Sequence, residues 1–222
     1  MSAEKRAVPK ESIRTLTKRS VLVAARELSA ADPKLGAVIE RVGPCTMLPS
    51  PEGSHFDAIS RSIVYQQLTG KAAATIHGRF VERIGTAGLR PTPEQVLQHD
   101  IEVFRECGLS SAKTAALRDL AAHVVDGRLP VDSFDSMPDN DIVDMLVKVR
   151  GIGPWTAQMF LMFRLGRADV LPLLDLGVKK GAQRIHGMRK IPDEKKLEKL
   201  ARSWKPWRSV ASWYCWRALE LE

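Results

Sequence analysis

The sequence predicts an all-α protein, and two observations carry the prediction. Apolar residues recur at the spacing of a helix face rather than in alternation. No segment shows the clean alternation between turn signals that half-buried strands would give. The segment from Asp32-Pro33 to Gly43 is typical: it opens with a capping side chain and a first-turn proline and closes with glycine. Its apolar residues lie at i, i+3, i+4 and i+7: Leu35, Val38, Ile39 and Val42.

Similar signals mark the remaining helices in chain order. Apolar stripes predict helices over 56–64 and 76–84. Thr92-Pro93-Glu94 marks the start of another helix. A short helix is predicted from Asp100 to Gly108, and a longer one from Ser111 to about Gly127. The last four predicted helices cover 140–148, 154–165, 192–204 and 206–219. About ten short helices with short connections are therefore expected.

Composition narrows the class of function. The formal net charge of +8 and the pI of about 9.6 favour a polyanionic partner such as nucleic acid. The three cysteines are far apart, and no CxxC or HExxH motif occurs, so a disulfide framework, a zinc site and an iron–sulfur cluster are not expected. No membrane span or secretory signal is visible. A solvated basic leader is expected before residue 20, with Lys5, Arg6, Lys10, Arg14, Lys18 and Arg19.

The most informative stretch is LVKVRGIGPWTAQ, residues 146–158. Gly151 and Gly153 flank a single apolar residue, Ile152, and Pro154 starts a new helix at a position where its missing N–H costs nothing. This pattern predicts a tight turn between two helices. Its glycines allow positive φ, its exposed N–H groups suit a phosphate, and Ile152 is expected to fill the core below the turn.

VRGIGPWTA followed by LPLLDLGVKKG resembles the helix-hairpin-helix glycosylase superfamily, and most of all the 3-methyladenine DNA glycosylase II (AlkA/MAG-type) family. Three further parts of the chain match the sequence pattern of this family: residues 32–33 with 43–45, residues 63–68 and residues 204–209. The resemblance therefore covers most of the chain. It implies two helical lobes with an interlobe active-site cleft. Residues 1–54 and 167–222 would form a discontinuous lobe with the catalytic aspartate, and 55–166 a central lobe with the hairpin. No N-terminal β domain, which some relatives carry, is expected.

The resemblance identifies Asp175 as the catalytic residue, whereas the residue pattern alone indicates a helix N-cap. Both roles are compatible, because a carboxylate is favoured at a helix start. Cleavage of an N-glycosidic bond builds positive charge on the deoxyribose, which a fixed carboxylate stabilises. The carboxylate can also orient or deprotonate the attacking water. An alkylated, cationic base is already a good leaving group, so little acid catalysis is needed.

Trp155 bears on the type of reaction. Bifunctional members of the superfamily carry a lysine at this position of the hairpin, which attacks the sugar and forms a Schiff base. Tryptophan cannot do so, and Lys148 precedes the turn. The resemblance therefore implies base excision without AP-lyase activity. Two alternatives stay open: a non-enzymatic helix-hairpin-helix protein that binds damaged DNA, and a glycosylase for oxidised bases.

The resemblance also implies a base pocket. Trp155 and Trp216 would form its walls, and an indole face attracts a cationic methylated purine with about 1–2 kcal/mol when desolvated. Tyr65 and Met159 would complete the lining, although some relatives carry an aromatic residue where Met159 stands. Phe56 is expected in the core.

A base inside a duplex has to be extruded, and the gap has to be filled. Gln66, Gln67 and Leu68 match the segment that does so in the family, and either Gln67 or Leu68 could enter the stack; a solvated helix face is the alternative for the glutamines. The expected phosphate contacts are Gly151, Gly153, Thr156, Lys179, Lys180 and Arg208. No cofactor is expected to be required, but the carbonyls of Val147, Val149 and Ile152 match those that hold Na⁺ or K⁺ in relatives.

The expected partner is double-stranded DNA containing alkylated bases, bound by a monomer in base excision repair. The lesion range stays open between 3-methyladenine, 7-methylguanine, ethenoadenine and 1-methyladenine. The expected location is the cytoplasm with the nucleoid in a bacterium, or the nucleus in a eukaryote. The five histidines are scattered singly, which favours surface or core roles over catalysis.

Overall fold

The computed structural model describes residues 13–222, and in this range the chain is helical, with no strand and one isolated antiparallel bridge between Thr15 and Arg167. The predicted all-α class is confirmed. The leader residues Lys5, Arg6 and Lys10 lie outside the described residues. No helix in this range is both long and apolar enough to cross a membrane.

The α-helices are α1 Lys18–Ala31, α2 Pro33–Val42, α3 His55–Tyr65, α4 Gly70–Ile84, α5 Pro93–Gln98, α6 Ile101–Glu106, α7 Ser111–Val125, α8 Asp139–Leu146, α9 Pro154–Phe163, α10 Leu176–His186, α11 Glu194–Leu200 and α12 Arg208–Ala218, with a 3₁₀ helix at Val131–Ser136.

Helix α1 was not predicted, because the basic leader was expected to continue to residue 20. Instead Thr17 caps the helix, and Thr17 and Ser20 form a reciprocal capping box. The apolar face of α1 is buried through Val21, Ala24 and Leu28. The last two basic residues of the expected leader, Lys18 and Arg19, therefore belong to a packed helix.

The expected helix over 192–204 is also shorter in the structure. It ends at Leu200, and turns follow up to Pro206. A residue before proline avoids the α conformation, which explains why the helix does not run on into α12. The turns place Trp204 in the core, where its Nε1 donates a 2.8 Å hydrogen bond to Asp32.

All the α-helices of the described range except α11 fall into two groups. Helices α1, α2, α10 and α12 pack on one another, and α3 to α9 with the 3₁₀ helix pack into a second group. The predicted boundaries of the two lobes, 54/55 and 166/167, stay a prediction. Gly181 allows the closest approach in the first group, because a Cβ there would lie 2.0 Å from the carbonyl oxygen of Cys215.

Arg167 ties the two groups together at the end of α9. Its side chain is 3% exposed, and Nη2 donates to the carbonyls of Phe134 (2.8 Å) and Met137 (3.1 Å). Its Nε pairs with Asp139 at 3.0 Å. These contacts hold the start of the segment that leads on to Asp175 against the central helices.

Candidate active site

Asp175 is the N-cap of α10, as its sequence position predicted. Its Oδ1 accepts a 2.7 Å hydrogen bond from the backbone N–H of Val178. The carboxylate therefore lies at the positive end of a helix and cannot rotate freely.

Two indoles from different helix groups converge on this carboxylate. Trp155, in the first turn of α9, donates from Nε1 to Oδ2 at 2.7 Å. Trp216, near the end of α12, donates from Nε1 to Oδ1 at 2.9 Å. Together with the cap, three of about four acceptor positions of the carboxylate are occupied. The position left over is on Oδ2.

The apolar surface beside the carboxylate is a stripe along α9. Trp155, Met159 and Phe163 follow one another at a spacing of four residues and therefore share a face. Phe163 stacks on Trp216, with ring centroids 5.9 Å apart and planes 19° apart. Trp155 is 45% exposed and Phe163 41%, so this aromatic surface is open to an incoming planar group.

Gly177 makes the arrangement possible. A Cβ at this position would lie 2.8 Å from Cδ1 of Trp216 and 3.0 Å from Oδ1 of Asp175. Any side chain here would push the indole away from the carboxylate. Neither Gly177 nor Phe163 was predicted from the sequence. The one local sign that Gly177 has a special role is its place in the first turn of α10, where glycine weakens a helix.

The hairpin between α8 and α9 has the predicted form with one correction. Gly151 takes positive φ (+77°), but Gly153 has φ −97° and serves as the N-cap of α9. Ile152 is 5% exposed and fills the core as expected. Within the described chain, the N–H groups of Gly151 and Gly153 donate no hydrogen bond, and both residues are exposed, so they are available to an anion.

The segment predicted to enter the base stack follows α3. Gln67 is exposed and left-handed (φ +56°), and Leu68 is 38% exposed. The side chain of Gln66, unlike those of Gln67 and Leu68, is held by the hairpin. Its Nε2 donates a 3.0 Å hydrogen bond to the carbonyl of Gly151 in the hairpin.

Tyr65 ends α3 next to this segment. The guanidinium of Arg61 lies 4.0 Å from the centroid of its ring, and His77 packs edge-on against it at 6.1 Å. Its expected place in the base pocket stays a prediction. Phe56 is 3% exposed and belongs to the core, as expected.

Three of the expected phosphate contacts are engaged or covered within the protein. The guanidinium of Arg208 pairs with both carboxylate oxygens of Asp169, at 2.7 and 2.9 Å. Lys179 lies 3.7 Å from Glu194, and Thr156 is only 9% exposed. Their side chains are thus committed to the fold, whereas Lys180 is exposed. The sequence could not reveal the pairing, because the acidic partners of Arg208 and Lys179 lie on other elements.

The three carbonyls expected to hold a cation also lie in the hairpin. The carbonyl of Val149 accepts a 3.1 Å hydrogen bond from the N–H of Ile152. In the described chain, the carbonyls of Val147 and Ile152 accept no backbone hydrogen bond. Neutral carbonyl oxygens with free lone pairs suit a hard cation.

The sequence of this chain is similar to those of known DNA repair proteins. Residues 60–206 match the family described as HhH-GPD superfamily base excision DNA repair protein. The alkylbase DNA glycosidase-like protein mag2 of Schizosaccharomyces pombe is 32% identical over 199 residues, which are 89% of this chain and 93% of that protein. DNA-3-methyladenine glycosylase 1 of the same organism is 32% identical over 213 residues, 95% of this chain and 91% of the relative.

Solved structures show the same likeness. The 3-methyladenine DNA glycosylase Mag1 of S. pombe in complex with abasic DNA matches with a TM-score of 0.76 and 31% identity, over 90% of this chain and 97% of that one. A DNA-3-methyladenine glycosidase from Bacillus halodurans matches with a TM-score of 0.80 and 34% identity, over 93% and 92%. The chain therefore belongs to the HhH-GPD superfamily of base excision DNA repair proteins.

Proposed function

We propose that this chain is a monofunctional DNA glycosylase that acts as a monomer on double-stranded DNA and excises alkylated bases. The observation that carries the proposal is the convergence of Trp155 and Trp216 on the carboxylate of Asp175. One cluster thus offers both the charge that glycosidic cleavage requires and an aromatic surface for the base.

Asp175 acts on the sugar. As the C1′–N bond breaks, its electron pair leaves with the base and positive charge develops on the deoxyribose. A carboxylate held by three hydrogen bonds needs no reorganisation to stabilise that charge. The free acceptor position on Oδ2 can orient a water whose oxygen then forms the new bond to C1′ while its proton is released.

The exposed face formed by Trp155, Met159 and Phe163 acts on the base. A purine alkylated at a ring nitrogen carries positive charge, and an electron-rich indole attracts it with about 1–2 kcal/mol when desolvated. A neutral base gains only stacking there. The surface thus favours damaged bases without reading a particular edge, and the cationic base leaves as a neutral molecule.

Access to the base requires extrusion from the duplex. Gln67 and Leu68 are exposed and adjacent to the hairpin, where they can fill the gap that the base leaves. The free N–H groups of Gly151 and Gly153 can hold a backbone phosphate nearby. The carbonyls of Val147 and Ile152, with that of Val149, would hold a Na⁺ or K⁺ ion, which adds positive charge next to that phosphate.

The absence of lyase activity is part of the proposal. At the hairpin position where a lyase lysine would stand, this chain has Trp155, which cannot form a Schiff base. Lys179, one helical turn after Asp175, is directed to Glu194. Borohydride treatment during turnover should therefore trap no covalent adduct. Trapping, together with strand nicking, would favour a glycosylase–lyase for oxidised bases.

The test of the proposal is an excision panel on defined duplexes that contain 7-methylguanine, ethenoadenine, hypoxanthine or 8-oxoguanine, with dimethyl sulfate-treated DNA as the source of 3-methyladenine. We expect release of free 3-methyladenine and 7-methylguanine and intact strands until the abasic sites are cleaved by alkali. Binding of these duplexes without release of any base would instead indicate a damage-binding protein.

A further inference from the structure

One face of α7 supports both elements that would touch DNA. Lys113 reaches the end of α3, Asp119 accepts a 2.8 Å hydrogen bond from the backbone N–H of Arg150, and Ala116 lies between them. The Cβ of Ala116 would be only 3.3 Å from a Cβ at Gly151, so the hairpin backbone lies directly on α7. The three residues follow one another every third position, which places them on successive turns of the helix.

Lys113 holds the turn that begins at Gln66. Its Nζ donates to the carbonyl of Val64 at 2.6 Å and to that of Gln66 at 2.8 Å. Carbonyls at the end of a helix have no partner within the helix, and a cation there is favourable. Burial lowers the pKa of Lys113 from its usual range, as expected for an ammonium withdrawn from water to make these contacts.

The conformation of this turn is unusual for its sequence. Gln67 takes φ +56°, a region that residues with a side chain rarely occupy because Cβ crowds the backbone. Such a conformation persists only where the surroundings hold it. Within the turn itself, the N–H of Leu68 donates a 3.4 Å hydrogen bond to the carbonyl of Tyr65. From outside the turn, the two hydrogen bonds of Lys113 and the bond from Gln66 to Gly151 hold it in place.

We infer that Lys113 is a positioning residue for base extrusion: by binding the carbonyls of Val64 and Gln66 it keeps Gln67 and Leu68 presented to the duplex in a fixed relation to the hairpin. This inference rests on the proposed function. Lys113 touches neither the base nor Asp175, so its removal should impair the filling of the gap and leave the chemistry on an already extruded base intact.

The test compares Lys113→Met and Lys113→Arg with the wild type. Lys34→Met is the matched control, because Lys34 also donates to a carbonyl at the end of a helix, that of His186, on the other helix group. Single-turnover excision of 7-methylguanine is measured opposite cytosine and opposite an abasic analogue, where extrusion requires no unpairing. Thermal unfolding confirms that each variant is folded.

We expect Lys113→Met to lose about tenfold in rate opposite cytosine and little opposite the abasic analogue, since extrusion alone is weakened. Lys113→Arg, which can still donate to both carbonyls, should recover most of the rate, and Lys34→Met should match the wild type. A Lys113→Met rate that equals the wild type, or that falls equally on both duplexes, would overturn the inference.

Extrusion can also be followed without cleavage. In an Asp175→Asn background, 2-aminopurine placed next to the lesion brightens when the neighbouring base leaves the stack. Addition of Lys113→Met should reduce that signal at saturating protein, and an unchanged signal would contradict the role of Lys113. A wild type that excises no base would instead refute the proposed function, while this signal would still report on Lys113.

Discussion

Trp155 Nε1 lies 2.7 Å from Oδ2 of Asp175 and joins the first turn of α9 to the N-cap of α10 across the two helix groups. Trp155, which the resemblance places where a lyase would carry its lysine, thus holds the carboxylate proposed to stabilise the sugar. Trp155 as a residue remains 45% exposed, so the hydrogen bond at the edge of its indole does not prevent the ring face from meeting a base. Positioning of the carboxylate and recognition of the base are therefore expected to be separable by substitution.

Trp155→Phe keeps an aromatic face and removes the N–H donor. A hydrogen bond to a charged group contributes about 1.5–3 kcal/mol, so the single-turnover excision rate should fall about tenfold or more. Affinity for abasic-site DNA should be unchanged. Trp207→Phe is the control, because it removes an indole bond to Glu27 instead. Loss of DNA affinity in Trp155→Phe with an unchanged excision rate would contradict the assigned role of the N–H group.

Gly177→Ala should separate activity from stability. The added Cβ would meet Trp216 at 2.8 Å and displace its indole from Asp175. The rate should fall about tenfold, as for the loss of one hydrogen bond to the carboxylate. Alanine favours a helix over glycine by up to about 1 kcal/mol, so stability should not fall in proportion.

The control for this change is Gly78→Ala in α4, where a Cβ meets nothing within 4 Å. It should raise the melting temperature and leave excision unchanged. If Gly177→Ala excised as fast as Gly78→Ala, the contact between Trp216 and Asp175 would not be required.

Stability should depend on pH through His77. Burial lowers the pKa of its imidazole below 6.5, and the nearby charge of Arg61 acts in the same direction. The unfolded chain then takes up a proton near pH 6.5 while the folded chain stays neutral. The free energy of unfolding should therefore fall as the pH drops below about 6.5 and level off below the folded pKa.

His77→Gln removes this proton uptake. Urea unfolding at pH 7.5 and pH 5.5 should show a smaller difference for the variant than for the wild type. His186, whose pKa is also lowered by burial, should account for part of the remaining difference. An equal pH dependence in both proteins would show that His77 does not contribute.

The parts of the site that the sequence predicted are those encoded locally. The hairpin follows from glycine and proline positions, and the cap role of Asp175 follows from the preference of aspartate for the residue before a helix. The helical class was predictable for the same reason, since helices such as α2, α3 and α4 each carry an apolar face and a side-chain cap of their own. Local patterns failed at α1, whose capping box lies inside a basic segment, and at Gly153, which acts as a cap with negative φ.

What could not be predicted depends on contacts between distant segments. Phe163 joins the site through its stacking on Trp216, which lies on a distant helix. The need for glycine at position 177 likewise arises only once that indole is in place. Lys113 gives no local signal either, because its partners are carbonyls at the end of α3, far away along the chain. Arg208 was expected to contact phosphate, yet its Nε and Nη2 donate to the carboxylate of Asp169, which lies on another segment.

The most direct test of the account compares Asp175→Asn with Asp193→Asn. Both aspartates are N-caps, of α10 and α11, and asparagine is an equally good cap, so both helices should form. Single-turnover release of 7-methylguanine is the measurement. Asp175→Asn should lose about a hundredfold or more while still binding the damaged duplex, and Asp193→Asn should match the wild type. Excision by Asp175→Asn at the wild-type rate would contradict the central claim that this carboxylate drives the reaction.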